Sequence, residues 1–165
     1  MVTASDLIDE LARRGDLPHE LVLSAYGPAP TDFPVHFVRH LPFGADRFGM
    51  VGITLRGQVW LLDRLRDRPP LQLLTLLRHE AEHVAQQRRA KLAFYPLYVG
   101  EWLLNLLRPG LPIPPTSTGR PGRSYAAYRN ISYERDAYRA GDTFELAVRR
   151  RSIEAGAAAD RPDLF

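Results

Sequence analysis

Residues 73–89 read LLTLLRHEAEHVAQQRR, which sets two histidines and two glutamates inside a segment with the apolar periodicity of a buried helix. Ionisable groups taken out of water are costly unless something pairs with them, so this face is either solvated or has a ligand. At 3.6 residues per turn the positions sort by direction. Leu73, Leu77, Ala81, Val84 and Ala85 share a broad core-facing sector, and Arg78, Glu82 and Arg89 share the opposite one. Glu82 is therefore expected in solvent, one turn from Arg78, where an exposed ion pair contributes only about a few tenths of a kcal/mol. His79 and His83 lie one above the other on a third sector, with Glu80 between them and the core face. Two imidazoles at this spacing reach one metal ion from the same side, and the adjacent carboxylate then points toward the open coordination position. Neutral imidazoles do not cancel the charge of the ion, so it can acidify a bound water whose proton Glu80 is placed to take. The competing reading is a helix whose histidines edge a polar rim and whose Glu80 is solvated. The metal reading requires a third protein ligand downstream.

The remaining composition narrows the alternatives. A chain of 165 residues, 45% hydrophobic and 25% charged, suits one domain over residues 1–165 with its own core. The formal charge of +3 comes from spread arginines, with Lys91 the only lysine, so no nucleic-acid binding is expected. The absence of cysteine excludes disulfides, thiolate metal sites and a cysteine nucleophile, and leaves only His, Asp and Glu as metal ligands. The opening MVTASDLIDELARRGD has helical periodicity and acidic residues rather than the pattern of a secretory signal, so a cytoplasmic location is expected. The most apolar segment, residues 92–107, contains Pro96, Glu101 and Asn105 and falls short of the roughly 20 residues of a spanning helix. It reads as a core or surface-docked helix.

The elements that must position the motif follow from local signals. Residues 5–14 predict a helix ended by Gly15, and residues 18–25 a second, short one. Residues 1–45 hold these helices and a loop-rich stretch with one strand near 35–38. MVGITLRGQVWLLD, rich in β-branched and aromatic residues, predicts a hairpin turning at Arg56-Gly57. Pro69 and Pro70 start the motif helix, which should run to about Lys91, and another helix should span about 96–108. Residues 109–124, dominated by Pro, Gly, Ser and Thr, predict a loop. A helix from about Ile131 is expected to end at Gly141 as its C-terminal cap. Asp142 and Glu145, in capping-box spacing, would then start a last helix, and the tail DRPDLF should fray.

The pattern His79-Glu80-Ala81-Glu82-His83 resembles the zincin metallopeptidases, although Glu82 stands where they usually carry an uncharged residue. RHEAEHVAQQ, FYPLYVGEWLLNLL and AYRNISYERDAYRAG together resemble, in order and spacing, a group of small bacterial gluzincin-like proteins related to the DUF4157 family, over about residues 51–141. The resemblance implies an α+β, mostly helical, minimal zincin domain with a small hairpin before the H-E-x-x-H helix. It implies that the glutamate of E-x-x-A, here Glu134, is the third ligand beside His79 and His83, to one Zn²⁺ or another divalent metal. Ala137, one turn on, would let the two site helices approach closely. It further implies hydrolysis of a peptide or protein substrate with Glu80 as general base, the hairpin lying along the cleft where an extended peptide can pair with it.

Four tyrosines, Tyr125, Tyr128, Tyr133 and Tyr138, cluster around Glu134 in the sequence, and one hydroxyl could stabilise an oxyanion. Tyr138 is the first candidate and Tyr128 the second. Gln86, on the sector of His79, is a candidate to orient a ligand, whereas His36 and His40 read as structural or exposed. The rival to an enzyme is an inactive metal-binding scaffold of the same fold, with the apolar helix 94–107 as contact surface for a partner or a membrane.

Overall fold

The N-terminal periodicity becomes a helix because Thr3 caps it. In the computed structural model of the chain, which describes residues 1–108, 110 and 122–159, Thr3 Oγ1 accepts the Asp6 backbone N–H at 3.1 Å and α1 runs Ala4–Arg14. The Gly15 N–H closes it on the Leu11 carbonyl. Next comes α2, His19–Tyr26, which stops at Gly27 with φ 68°.

Four short strands form one mixed sheet. These are β1, Val2–Thr3; β2, Pro34–Val38; β3, Gly52–Leu55; and β4, Gln58–Leu62. Their order is β1-β2-β4-β3, with β2 parallel to β4 and the two outer pairs antiparallel. The expected hairpin is present. Arg56 and Gly57 both have positive φ, 50° and 71°, which gives a two-residue turn the twist that suits the flanking strands. The expected strand near 35–38 is β2. The two-residue β1 has too little pattern to be predicted and exists because Val2 pairs with Val35. Since β3 is an edge, one side of it remains open for other elements.

The long helix α3, Pro70–Ala90, crosses this sheet and carries the motif. Leu73, Leu74, Leu77, Ala81 and Val84 bury against Leu7, Ile8, Leu11, Val59 and Leu61 in the main core. A turn at Lys91–Ala93 leads into α4, Phe94–Leu107. Then come α5, Arg123–Arg129, and α6, Ser132–Ala159. The fold is mixed α+β and mostly helical. None of its helices is long and apolar enough to cross a membrane, among the described residues.

Two expectations are corrected here. Gly141 does not end a helix; α6 continues through it, so Asp142 and Glu145 lie in mid-helix and cap nothing. The reason is packing. A Cβ at Gly141 would lie 3.2 Å from the Thr75 carbonyl oxygen and 3.7 Å from His79 Cβ, so glycine is there to let α6 touch α3. The predicted loop also ends early, because Arg123 and Ser124 already belong to α5. Most of that loop and the tail 160–165 lie outside the described residues.

Two glycines in helices should thus respond in opposite ways. At Gly100 of α4 an added Cβ meets nothing within 4 Å. There Gly100→Ala should raise stability by about 0.5–1 kcal/mol, the ordinary gain for a helix interior. Gly141→Val should lower it by about 1–3 kcal/mol through overpacking. Urea denaturation of the two variants checks the pair; equal signs would contradict the packing given for Gly141.

Candidate metal centre

His79, Glu80 and His83 are buried, at 7%, 4% and 6% exposure, because α3 is covered on more sides than its apolar stripe requires. Ala137 and Gly141, one turn apart on α6, present almost no side chain to the histidine sector, so α6 seats directly on it. The hairpin covers the Glu80 sector. The expectation for Glu82 is corrected by the same crowding: its side chain is only 19% exposed and it bridges Arg78 at 3.3 Å and Arg89 at 3.0 Å. Arg78 in turn donates to the Tyr26 carbonyl, which fixes α3 to the end of α2.

Glu134, in the first turn of α6, points between the two imidazoles. His83 Nε2 lies 3.1 Å from Oε1 and His79 Nε2 lies 3.6 Å from Oε2. Donors that share a tetrahedral ion at about 2.0–2.1 Å stand roughly 3.3 Å apart, so these separations suit a common ligand. All three residues offer ligand atoms within 4.8 Å of one another. Each donor is oriented by a neighbour. The Gln86 amide donates to the Tyr133 carbonyl at 3.0 Å, so its Oε1 faces His83 Nδ1 at 2.9 Å and accepts its N–H. That leaves Nε2 to face Glu134, with Gln86 lying against the His83 ring. The His79 ring is flanked by Tyr138, edge-on. The Tyr98 hydroxyl, from α4, donates to Glu134 Oε1 at 2.5 Å. Glu134 Oε2, by contrast, is buried with no hydrogen-bond partner among the described residues. An unsatisfied buried carboxylate oxygen facing an imidazole nitrogen is what a cation would complete, and the set of two imidazoles and one carboxylate suits Zn²⁺.

The electrostatics divide the site. Burial, then the charge of His83, hold His79 at about 3. Burial also pulls His83 down, but Glu134 and Glu80 outweigh it and leave His83 at about 9. Burial pushes Glu134 up, while His83, His79 and the Tyr98 hydroxyl bring it down to about 2. For Glu80 burial prevails over His83 and Thr54, and its carboxyl is raised.

Glu80 is held from the hairpin side. Thr54 Oγ1 donates to its Oε2 at 2.5 Å, and a Cβ at Gly52 would lie 2.9 Å from its Oε1, so only glycine leaves room for the carboxylate there. The hairpin is fastened to α3 by Gln87, whose amide donates to the Thr54 carbonyl at 2.8 Å while its oxygen accepts the Gly57 N–H at 2.9 Å. This bears on the strand-pairing expectation. β3 is an edge as required, but the Thr54 carbonyl is already occupied, which shifts any free rim toward Gly52. Between β3 and α4 a cavity of ≈ 140 Å³ opens onto Glu80, His83 and Glu134, with Met50, Ile53, Leu55, Phe94 and Tyr95 as its apolar wall.

The tyrosines separate. Tyr128 lines the cavity, its hydroxyl pKa raised by burial and by Glu134. Tyr138 packs edge-on against the His79 ring, 4.5 Å between centroids, with the Arg129 guanidinium over its ring, and is not among the cavity-lining residues. Tyr133 stacks on Tyr98, and Tyr125 lies against Tyr128. His36 stacks on Trp60 and hydrogen-bonds Gln58, while His40 sits exposed beside Asp46. Sequence reasoning missed Tyr98, Thr54, Gln87 and Gly52. Compared with family models, curated proteins and solved structures, the chain matches none.

A pH test follows from the ionic balance. His83 is held above its ordinary 6.5, so its pairing contributes fully below pH 6.5 and is lost as pH rises through about 9. The raised Glu80 carboxyl works in the same direction, its cost growing as pH rises above 4.5. Glu134, held below its ordinary 4.5, contributes above pH 4.5 and loses its share as pH falls through about 2. His79 adds an opposing cost as pH falls below 6.5. In chelator, Tm should therefore fall from pH 6.5 to about 9, and Glu134→Gln should flatten that slope. A chelated wild type with a flat Tm over this range would speak against the pair.

Proposed function

We propose that this protein is a zinc-dependent metallopeptidase of the gluzincin type, with His79, His83 and Glu134 as ligands and a minimal zincin-like fold. One observation carries the reading: two imidazoles and a carboxylate with an unsatisfied oxygen converge beneath a cavity, next to a second carboxylate that is not needed as a ligand. A bound zinc ion would supply Lewis acidity, polarising a substrate carbonyl and making a water easier to deprotonate.

The chain's own residues do the rest. Glu80, with its raised pKa, is suited to accept a proton from the attacking water and pass it to the leaving amine, since a base works best when its pKa approaches the working pH. Thr54 keeps one of its oxygens fixed and so aims the other. Tyr128, at the cavity wall, is the better-placed hydroxyl to meet an oxyanion; Tyr138 is committed to His79 and Arg129. Tyr98 positions Glu134. The apolar wall favours an extended peptide with a bulky apolar side chain beside the scissile bond.

Two measurements test this. Elemental analysis after Zn²⁺ addition should find one zinc per chain, and His83→Ala should lose it; equal zinc in the variant would place the ion elsewhere. Glu80→Gln should keep fold and metal yet cleave a denatured casein mixture roughly 10²–10⁴-fold more slowly than wild type. Equal rates would rule out Glu80 as the base. Bound metal with no cleavage by either form would favour the scaffold reading.

A further inference from the structure

The least explained surface lies on the far side of α4 from the site. Positions 94, 98, 101 and 105 face inward: Phe94 and Asn105 are buried, Tyr98 holds Glu134, and the Glu101 carboxylate takes both the N–H and the hydroxyl of Ser132. The other side is a continuous sector of roughly 160° on the helical wheel, bounded by Leu97 and Val99. It holds Leu103, Leu104 and Leu107, with Pro96 and Gly100 between them. Leu104 and Leu107 are 70% and 77% exposed, and Leu92, just ahead of the helix, is 89% exposed. This sector contains no charged residue, because the only acid of the helix, Glu101, is turned inward.

Four cations stand along this apolar strip. Lys91 sits at its start beside Leu92, and Arg108 at its end. Arg123 donates to the Arg108 carbonyl and so stands next to it. Arg56 is at the hairpin tip, where its N–H meets the Tyr95 hydroxyl along the Val99 side of the strip. All four are exposed, and none is in an ion pair among the described residues.

We propose that this face of α4 docks in the plane of an anionic lipid bilayer, with its leucines at the acyl boundary and Arg56, Lys91, Arg108 and Arg123 at the headgroups. An uncharged apolar sector framed by cations is complementary to such a surface. A second copy of the chain is the poorer partner, since a two-fold contact would bring the same basic frame against itself. The helix is about 21 Å long, too short to span the roughly 30 Å hydrocarbon layer, so it lies on the membrane. The inference goes beyond the peptidase reading and does not depend on it.

Vesicle cosedimentation tests it with the full chain. The protein should sediment with vesicles of phosphatidylcholine and phosphatidylglycerol and stay in solution with phosphatidylcholine alone, and the binding should weaken as salt rises. The double variant Leu104→Asp, Leu107→Asp, made at solvated positions, should keep Tm and zinc content while partitioning at least about tenfold less. Lys91→Glu with Arg108→Glu should weaken binding too. Glu80→Gln should bind vesicles like wild type, so failure of this inference and failure of the catalytic reading are distinguishable. No sedimentation with anionic vesicles, equal binding to neutral ones, or binding unchanged in both double variants would overturn the proposal. So would a dimer in solution that Leu104→Asp abolishes, which would assign the face to a second copy.

Discussion

A carboxylate at 2% exposure cannot stand alone, and Glu134 is the group that the surrounding helices have to answer. Removing an ion from water costs several kcal/mol even after relaxation, and a hydrogen bond to a charged group returns about 1.5–3 kcal/mol. One such bond is therefore not enough. Glu134 draws on His83 and Tyr98 at one oxygen and looks toward His79 with the other, so α3, α4 and α6 all meet at this side chain. Its lowered pKa marks the outcome: attraction exceeds the cost of burial, and the carboxylate stays charged. The same fact holds when seen from α3. Its histidines are buried because their partner is too.

Glu80 shares the cavity and has the opposite balance. It stands on the hairpin side, where its hydroxyl partner is neutral and burial wins, so its carboxyl holds a proton more readily than Glu134 does. Two carboxylates in one cavity with pKa values pushed apart is the arrangement that lets one serve as an anion and the other exchange a proton. Their separation depends on placing each on a different support: Glu134 on α6, Glu80 between Thr54 and Gly52. Gln87 keeps that second support in place.

What was legible in the sequence was local. The H-E-x-x-H helix, the hairpin with its Arg56-Gly57 turn and the β2 strand are written in short-range spacing, and the structure has them all. Glu134 came only through a resemblance, and the structure brings it to both histidines. Gly141 was misread because a glycine that ends a helix and one that admits a neighbouring helix look alike along the chain; only the position of Thr75 separates them. Tyr98 was hidden in an apolar run that reads as core. Thr54 meets Glu80 at a sequence separation of 26 and Gln87 meets Thr54 at 33, and no local period encodes such partners.

The three donors do not belong to one rigid piece. His79 and His83 travel together on α3, but Glu134 rides on α6, so the width of the donor triangle is the distance between two helix axes. That gauge is set by Ala137 and Gly141, neither of which offers a donor atom. Lengthening either side chain would widen the triangle while every ligand remained in the sequence. Under the proposed metal reading, selection on ion size would be recorded at these two small residues, and a search for altered metal preference would begin there.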